Sequence, residues 1–126
     1  VSQNLNFMKK TVVHFEIGCS DIDKTSEFYK TVFDWNLKPQ GNSAVIDTGK
    51  EGVLTGHINR LGPNEPQKYV TIYIETDSIS LDLKAIESNG GKTLVNPVKL
   101  PDGREFAWFE DIAGNTIGLI TPIRKQ

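Results

Sequence analysis

The chain repeats itself, and the repeat limits what it can fold into. A strand pattern followed by a capped amphipathic helix spans Val12 to Trp35 and returns in a looser form about sixty residues later. Laying His14 on Thr71 also aligns Phe15 with Ile72, Ile17 with Ile74, Ile22 with Ile79 and Tyr29 with Ile86. Coincident apolar positions at one offset indicate an internal duplication, so the fold must be assembled from two copies of one supersecondary unit.

Each copy can be read locally. Val13, Phe15 and Ile17 alternate with His14 and Glu16, the period of a strand with one buried face. Ser20 is the expected N-cap of the helix that follows, with Asp23 adding negative charge where the helix dipole favours it. Ile22, Tyr29, Val32 and Phe33 form its apolar stripe, which buries the Val13/Phe15/Ile17 face and turns His14 and Glu16 the other way. An edge strand near Lys38 and strands at Ser43–Thr48 and Gly52–Asn59 follow; Leu54 and Ile58 share one face of the last, Thr55 and His57 the other.

Gly62-Pro63-Asn64-Glu65-Pro66 reads as a linker. Beyond it Val70, Ile72 and Ile74 alternate with Thr71, Tyr73 and Glu75. Asp77 or Ser78 caps a helix with the stripe Ile79, Leu83 and Ile86, and Gly90 stands where a left-handed C-terminal residue belongs. Strands at Lys92–Val98, Arg104–Glu110 and Asn115–Thr121 complete the second copy. The expected fold is α+β: two βαβββ repeats forming a curled mixed sheet with a central cavity. It forms a single domain, with repeat one at about 9–60, a linker at 61–67 and repeat two at about 68–122.

Composition narrows the function classes. A chain of 126 residues holds one ordinary domain, and 37% hydrophobic with 24% charged residues is ordinary for a globular protein. A net charge of −2 without a basic cluster argues against nucleic acid, and no apolar run approaches membrane-spanning length. The one cysteine, Cys19, rules out an intrachain disulfide; packing at the strand-to-helix corner is its expected role, and a cytoplasmic location is expected. Residues 1–7 are polar and unpatterned, so a frayed or non-native extension before a start at Met8 is expected.

Each repeat has one helix to cover one sheet face, so the opposite parity should line the cavity. That parity nominates His14, Glu16, Thr55, His57, Thr71, Tyr73 and Glu75, with Thr116, Gly118 and Ile120 from the last strand. The seventh strand is ambiguous, because Phe106 and Trp108 share one side and Ala107 and Phe109 the other. The competing reading is a plain solvated sheet face.

With Val13-His-Phe-Glu-Ile17 leading into Glu27-Phe-Tyr29, the helix-ending Asn89-Gly-Gly-Lys92 and the turn Asp111-Ile-Ala-Gly-Asn115, the chain resembles the vicinal-oxygen-chelate superfamily. That superfamily includes glyoxalase I, extradiol dioxygenases and bleomycin-resistance proteins. The resemblance runs from Thr11 to Pro122 and is strongest to small bacterial proteins related to lactoylglutathione lyase. It implies a homodimer and a divalent metal held by a histidine on each half's first strand and a carboxylate on each half's last. His14 matches the first position. Thr71 stands at the second histidine position, Gly118 at the terminal glutamate, and no carboxylate falls between Leu54 and Gly56. No cofactor is therefore expected; the alternative is a Zn, Ni, Mn or Fe ion held by His14 and His57 with Glu16 or Glu75.

Without metal, the same lining suits acid–base chemistry. His14 needs little tuning to act as a base, and burial of Glu16 disfavours its ionised form. The expected catalytic groups are His14 and Glu16, with Tyr73 steadying an oxyanion; Thr55, His57, Thr71, Glu75, Phe106 and Trp108 are the expected binding residues. The function expected is action on, or binding of, a small organic molecule, as a lyase, isomerase or dioxygenase type and not as true glyoxalase I. The alternative is a sequestering protein that stacks an aromatic or cationic compound on Phe106 or Trp108.

Overall fold

The computed structural model describes residues 10–52, 54–64 and 69–123. It divides into two compact units, Val13–Ile72 and Val1–Val12 with Tyr73–Gln126, here called the first and second units. The division falls within two strands, β1 (Val12–Cys19) and β5 (Tyr69–Glu75), so Tyr69 and Thr71 belong to the first unit and Tyr73 and Glu75 to the second.

In the first unit, β1 is followed by α1 (Ile22–Phe33), β2 (Asn36–Gln40), β3 (Ser43–Asp47) and β4 (Thr55–Arg60). Strand order is β2-β3-β4-β1, with β4 parallel to β1 and the other pairs antiparallel. Cys19, Ile46 and Ile58 are buried, and Phe15, Ile17, Ile22, Tyr29, Trp35 and Leu37 pack on them. Phe15 lies across Gly56, its register partner; a Cβ there would meet the ring at 2.4 Å. The helix-facing parity is therefore the expected one.

Four local expectations are corrected. The N-cap of α1 is Asp21, not Ser20: its extended backbone aims the carboxylate at the Lys24 N–H, 3.0 Å away. A charged acceptor at the helix start outcompetes the hydroxyl one residue earlier. Val32 and Phe33 are half-exposed at 55% and 56%. The helix ends at Asp34 in the left-handed region (φ 61), and the chain folds back so that Trp35 stacks on Tyr29 at 5.0 Å and takes the sheet-side place. Leu54 precedes β4 and is exposed, so it does not share the buried face of Ile58. Leu61, expected in the linker, is buried and donates its N–H to the Cys19 carbonyl, while linker positions 65–67 lie outside the described residues.

The second unit repeats this connectivity. After β5 come α2 (Ile79–Ser88), β6 (Lys92–Lys99), β7 (Glu105–Glu110) and β8 (Thr116–Ile120), in the order β5-β8-β7-β6 with β8 parallel to β5. Ser78 caps α2, and Gly90 adopts φ 97 after the C-cap Asn89. Ile79, Leu83, Ala107, Phe109 and Leu119 form the core, joined by Ile74, Ile86 and Ile117. Ile17 and Ile74, Ile22 and Ile79, and Tyr29 and Ile86 thus hold equivalent places, as the duplication requires. Ala107 and Phe109 face the helix, which turns Phe106 and Trp108 to the opposite side and removes the ambiguity of the seventh strand. Lys10 ties the segment before β1 to this unit, with Nζ 2.7 Å from Asp82 Oδ1 and 3.2 Å from Thr76 Oγ1.

Candidate functional site

The parallel register of β1 and β4 sets His14 beside Thr55 and Glu16 beside His57, all on the face away from α1. Their side chains form one run of close polar contacts. His14 Nδ1 is 2.7 Å from Thr55 Oγ1, and His14 Nε2 is 2.6 Å from His57 Nδ1. His57 Nε2 is 3.3 Å from Glu16 Oε1, and the Tyr69 phenol donates to Glu16 Oε2. The run begins at exposed Thr55, whose hydroxyl also reaches the Val13 carbonyl at 3.3 Å, and ends at a carboxylate that is 2% exposed. Burying a carboxylate is expensive unless donors meet it, and His57 and Tyr69 both do.

Sequence reasoning named His14, Glu16, Thr55 and His57, and the structure brings all four together. Thr71, on β5, is buried, with its hydroxyl 3.4 Å from the Ile72 carbonyl. Tyr69 was missed. It shares the parity of Thr71 and Tyr73, so starting β5 one residue earlier would have found it. Gly18 makes room for it: a Cβ there would sit 3.1 Å from the Tyr69 ring and 3.0 Å from Leu61.

Tyr73, Glu75, Phe106 and Trp108 belong to the second unit, where they form two cross-strand rows. Tyr73, Gly118 and Trp108 make one; Glu75, Ile120 and Phe106 make the next. The Trp108 indole donates to Tyr73 Oη at 2.8 Å, and the Tyr73 ring covers Gly118, where a Cβ would meet it at 2.4 Å. A separate groove of about 310 Å³ between α1 and the β2–β3 hairpin, lined by Ile22, Ser26, Lys30, Leu37 and Ala44, holds none of these residues.

A chelating metal fits this donor set poorly. Gly118 supplies no side chain, and the ring of Tyr73 fills the space where one would project. Two imidazole ligands on one zinc ion, each bonded at 2.0–2.1 Å, stand roughly 3.3 Å apart in a tetrahedral site. His14 Nε2 and His57 Nδ1 are closer than that, at hydrogen-bond distance from each other. Among the described residues, no group of three or more His, Cys, Asp or Glu side chains is arranged to hold an ion.

A family model described as the Glyoxalase/Bleomycin resistance protein/Dioxygenase superfamily matches residues 11–119. The chain belongs to that superfamily. A glyoxylase-like domain-containing protein of Didymella fabae is 28% identical over 116 residues, covering 84% of this chain and 89% of that protein. The anthracycline biosynthesis protein DnrV of Streptomyces peucetius is 24% identical over 117 residues; the match covers 79% of this chain but only 42% of DnrV. Among solved structures, a methylmalonyl-CoA epimerase in complex with methylmalonyl-CoA and NH4+ aligns with a TM-score of 0.64 at 18% identity, covering 94% of this chain and 100% of that one. That likeness establishes the shared superfamily fold. Among the described residues, no helix is long and apolar enough to cross a membrane.

Register also revises one equivalence within the superfamily pattern. Glu16 pairs with His57 as Tyr73 pairs with Gly118, so the first-half counterpart of the terminal carboxylate position is His57, not a residue between Leu54 and Gly56.

Proposed function

We propose that this superfamily member is a metal-independent isomerase that moves a proton on a small carbonyl compound. The observation that supports it is the continuous run from Thr55 through His14 and His57 to buried Glu16. In the ground state His14 carries its proton on Nε2, and its bare Nδ1 accepts from the Thr55 hydroxyl. When substrate arrives, that hydroxyl turns to the Val13 carbonyl and frees Nδ1. The C–H bond next to the carbonyl breaks, its electron pair stays on the substrate as an enolate, and the proton goes to His14 Nδ1. His14 Nε2 then passes its proton to His57 Nδ1, and His57 Nε2 passes its own to Glu16 Oε1. Reversal returns a proton to the same face of the carbon, which gives exchange with no net change in the protein; isomerisation follows when the planar enolate turns over in front of His14 before the proton is returned.

The test is hydrogen exchange in D2O, followed by NMR, across a panel of 2-methyl acyl thioesters and α-hydroxyketones. The thioesters are included because a structural neighbour is an epimerase of that substrate class. Protein-dependent exchange at the carbon next to the carbonyl, lost in His14→Ala, supports the reading; no exchange with any member rejects it. Metal content belongs to the same test: exchange that requires stoichiometric Zn, Ni, Mn or Fe would restore chelate chemistry.

A second reading is sequestration of a planar compound, supported by the Tyr73–Trp108 pair in the second unit. Quenching of Trp108 fluorescence at one equivalent of an anthracycline-like quinone, without turnover, would favour it. For either reading we propose a cytoplasmic homodimer, checked by light scattering. Sheet-edge pairing is an unfavourable way to form it, because β2 and β6, at the ends of their units' strand orders, carry Lys38 and Pro39, and Lys92, Pro97 and Lys99.

A further inference from the structure

The groove between α1 and the β2–β3 hairpin lies on the helix side of the first unit's sheet, opposite the face that carries His14 and Glu16. At about 310 Å³ it stands at the lower end of the range for small-molecule sites, roughly 300–1,000 Å³. Its lining is apolar where Ile22, Leu37 and Ala44 meet, and its charges follow one flank of α1. Asp23 and Lys30 both line it and stand nearly in line on the helix surface, two turns and about 10.5 Å apart. Glu27 lies between them, but its Oε2 is already taken by the Thr31 hydroxyl at 3.1 Å. Neither the Asp23 carboxylate nor the Lys30 ammonium has a hydrogen-bond or ion-pair partner among the described residues. The groove is thus an apolar trough with a free anion at one end and a free cation at the other.

We propose that this groove binds an unblocked apolar dipeptide, with its α-ammonium at Asp23 and its α-carboxylate at Lys30. Charge-assisted hydrogen bonds at the two ends fix the direction of the ligand, and its side chains cover Ile22, Leu37 and Ala44. Length sets the class. Two extended residues span about 7 Å, and the Asp23 and Lys30 side chains, leaning inward, close the rest. A single amino acid separates its charges by only about 3.5 Å and meets one end at a time. Ser26, which also lines the groove, adds a hydroxyl between the two charges for the peptide group. The site takes no group from the Thr55–His14–His57–Glu16 run or from the Tyr73–Trp108 pair, so it is independent of both functional readings above.

The test is a titration of the 15N-labelled full chain with L-alanyl-L-leucine, followed in 1H–15N correlation spectra. The same dipeptide, N-acetylated or C-amidated, serves as a probe with one charge removed. We expect saturable shifts confined to residues 22–30 and 37–44, and each blocked probe to bind about three- to tenfold more weakly than the free dipeptide. In Asp23→Asn the penalty for acetylation should vanish while that for amidation stays; in Lys30→Gln the reverse should hold. Both positions are exposed, so neither substitution disturbs the core. The absence of a saturable shift with the free dipeptide overturns the proposal. So do shifts centred on other residues, equal binding of free and blocked probes, or penalties that ignore the two substitutions. None of these outcomes depends on whether the protein exchanges a substrate proton.

Discussion

The two units share a connectivity and differ in what they carry on the face away from the helix. In the first unit the row joining the leading strand to its parallel partner is Glu16 with His57; in the second the same row is Tyr73 with Gly118. The first row is a buried carboxylate beside a part-buried imidazole, extended in both directions, by Tyr69 and by His14. The second is a ring lying flat on a glycine, pinned by the Trp108 indole. The tightest ring-on-glycine contact of each unit lies on opposite faces: Gly56 under Phe15 faces α1, and Gly118 under Tyr73 faces away from α2. Duplication preserved the scaffold and left one face of each copy free to specialise. One copy carries a buried carboxylate met by an imidazole and a phenol, the other the aromatic residues Tyr73, Trp108 and Phe106 with Glu75 in the adjoining row.

The largest effect expected is on chemistry. If the first unit alone carries the proton, His14→Ala or Glu16→Gln should lower exchange at the substrate carbon by about 10²–10⁴-fold, the usual worth of general acid–base catalysis. Trp108→Phe should leave the exchange rate constant within a few-fold and act on substrate affinity instead. Equal losses in both variants would erase the distinction between the units.

Stability should divide the units in a different way. Glu16→Ala strips a buried acceptor from His57 and Tyr69 and should cost about 1–3 kcal/mol in urea unfolding for each donor left without a partner. Gly118→Ala forces the Tyr73 ring off its seat and should cost roughly 1–3 kcal/mol, the range for overpacking. Gly56→Ala makes the matching intrusion on Phe15 and should cost about as much. A Glu16→Ala cost no larger than that of Gly118→Ala would mean the polar row is no better held than the aromatic one.

Much of the scaffold was legible because period two in the strands and the repeated stripe of the helices say which face each residue takes. Parity alone named His14, Glu16, Thr55 and His57. What it could not give was who touches whom, because the pairing of His57 with Glu16 depends on the parallel register of two strands separated by a helix and a hairpin. Tyr69 was lost to a strand boundary drawn one residue late, where the preceding linker residues gave no apolar alternation. Val32 and Phe33 misled because a helical stripe shows only what could be buried. The left-handed turn at Asp34, which lets Trp35 take their place, is a tertiary outcome with no periodic signature.

The smallest expected effect concerns the turns that lead into each unit's parallel partner strand. Before β8, the Asp111 carboxylate accepts from the side chain of Asn115 at 3.0 Å and from the backbone N–H groups of Asn115 and Ala113 at 2.8 and 2.9 Å. In the first unit, Asp47 accepts the Gly49 N–H at 2.8 Å in the turn after β3. The Asn115 side-chain amide, followed by the backbone donors, holds the Asp111 carboxyl below its ordinary value of 3.8. A depressed folded-state value means that the ionised form contributes stability above 3.8, and that this contribution fades as pH falls through the lower folded value. Wild type should therefore melt slightly above Asp111→Asn at pH 6, with the gap closing below 3.8. Because the carboxylate is open to solvent, the gap should be the smallest of those above, and a gap that persists undiminished into strong acid would show that Asp111 shapes this turn through geometry and not through charge.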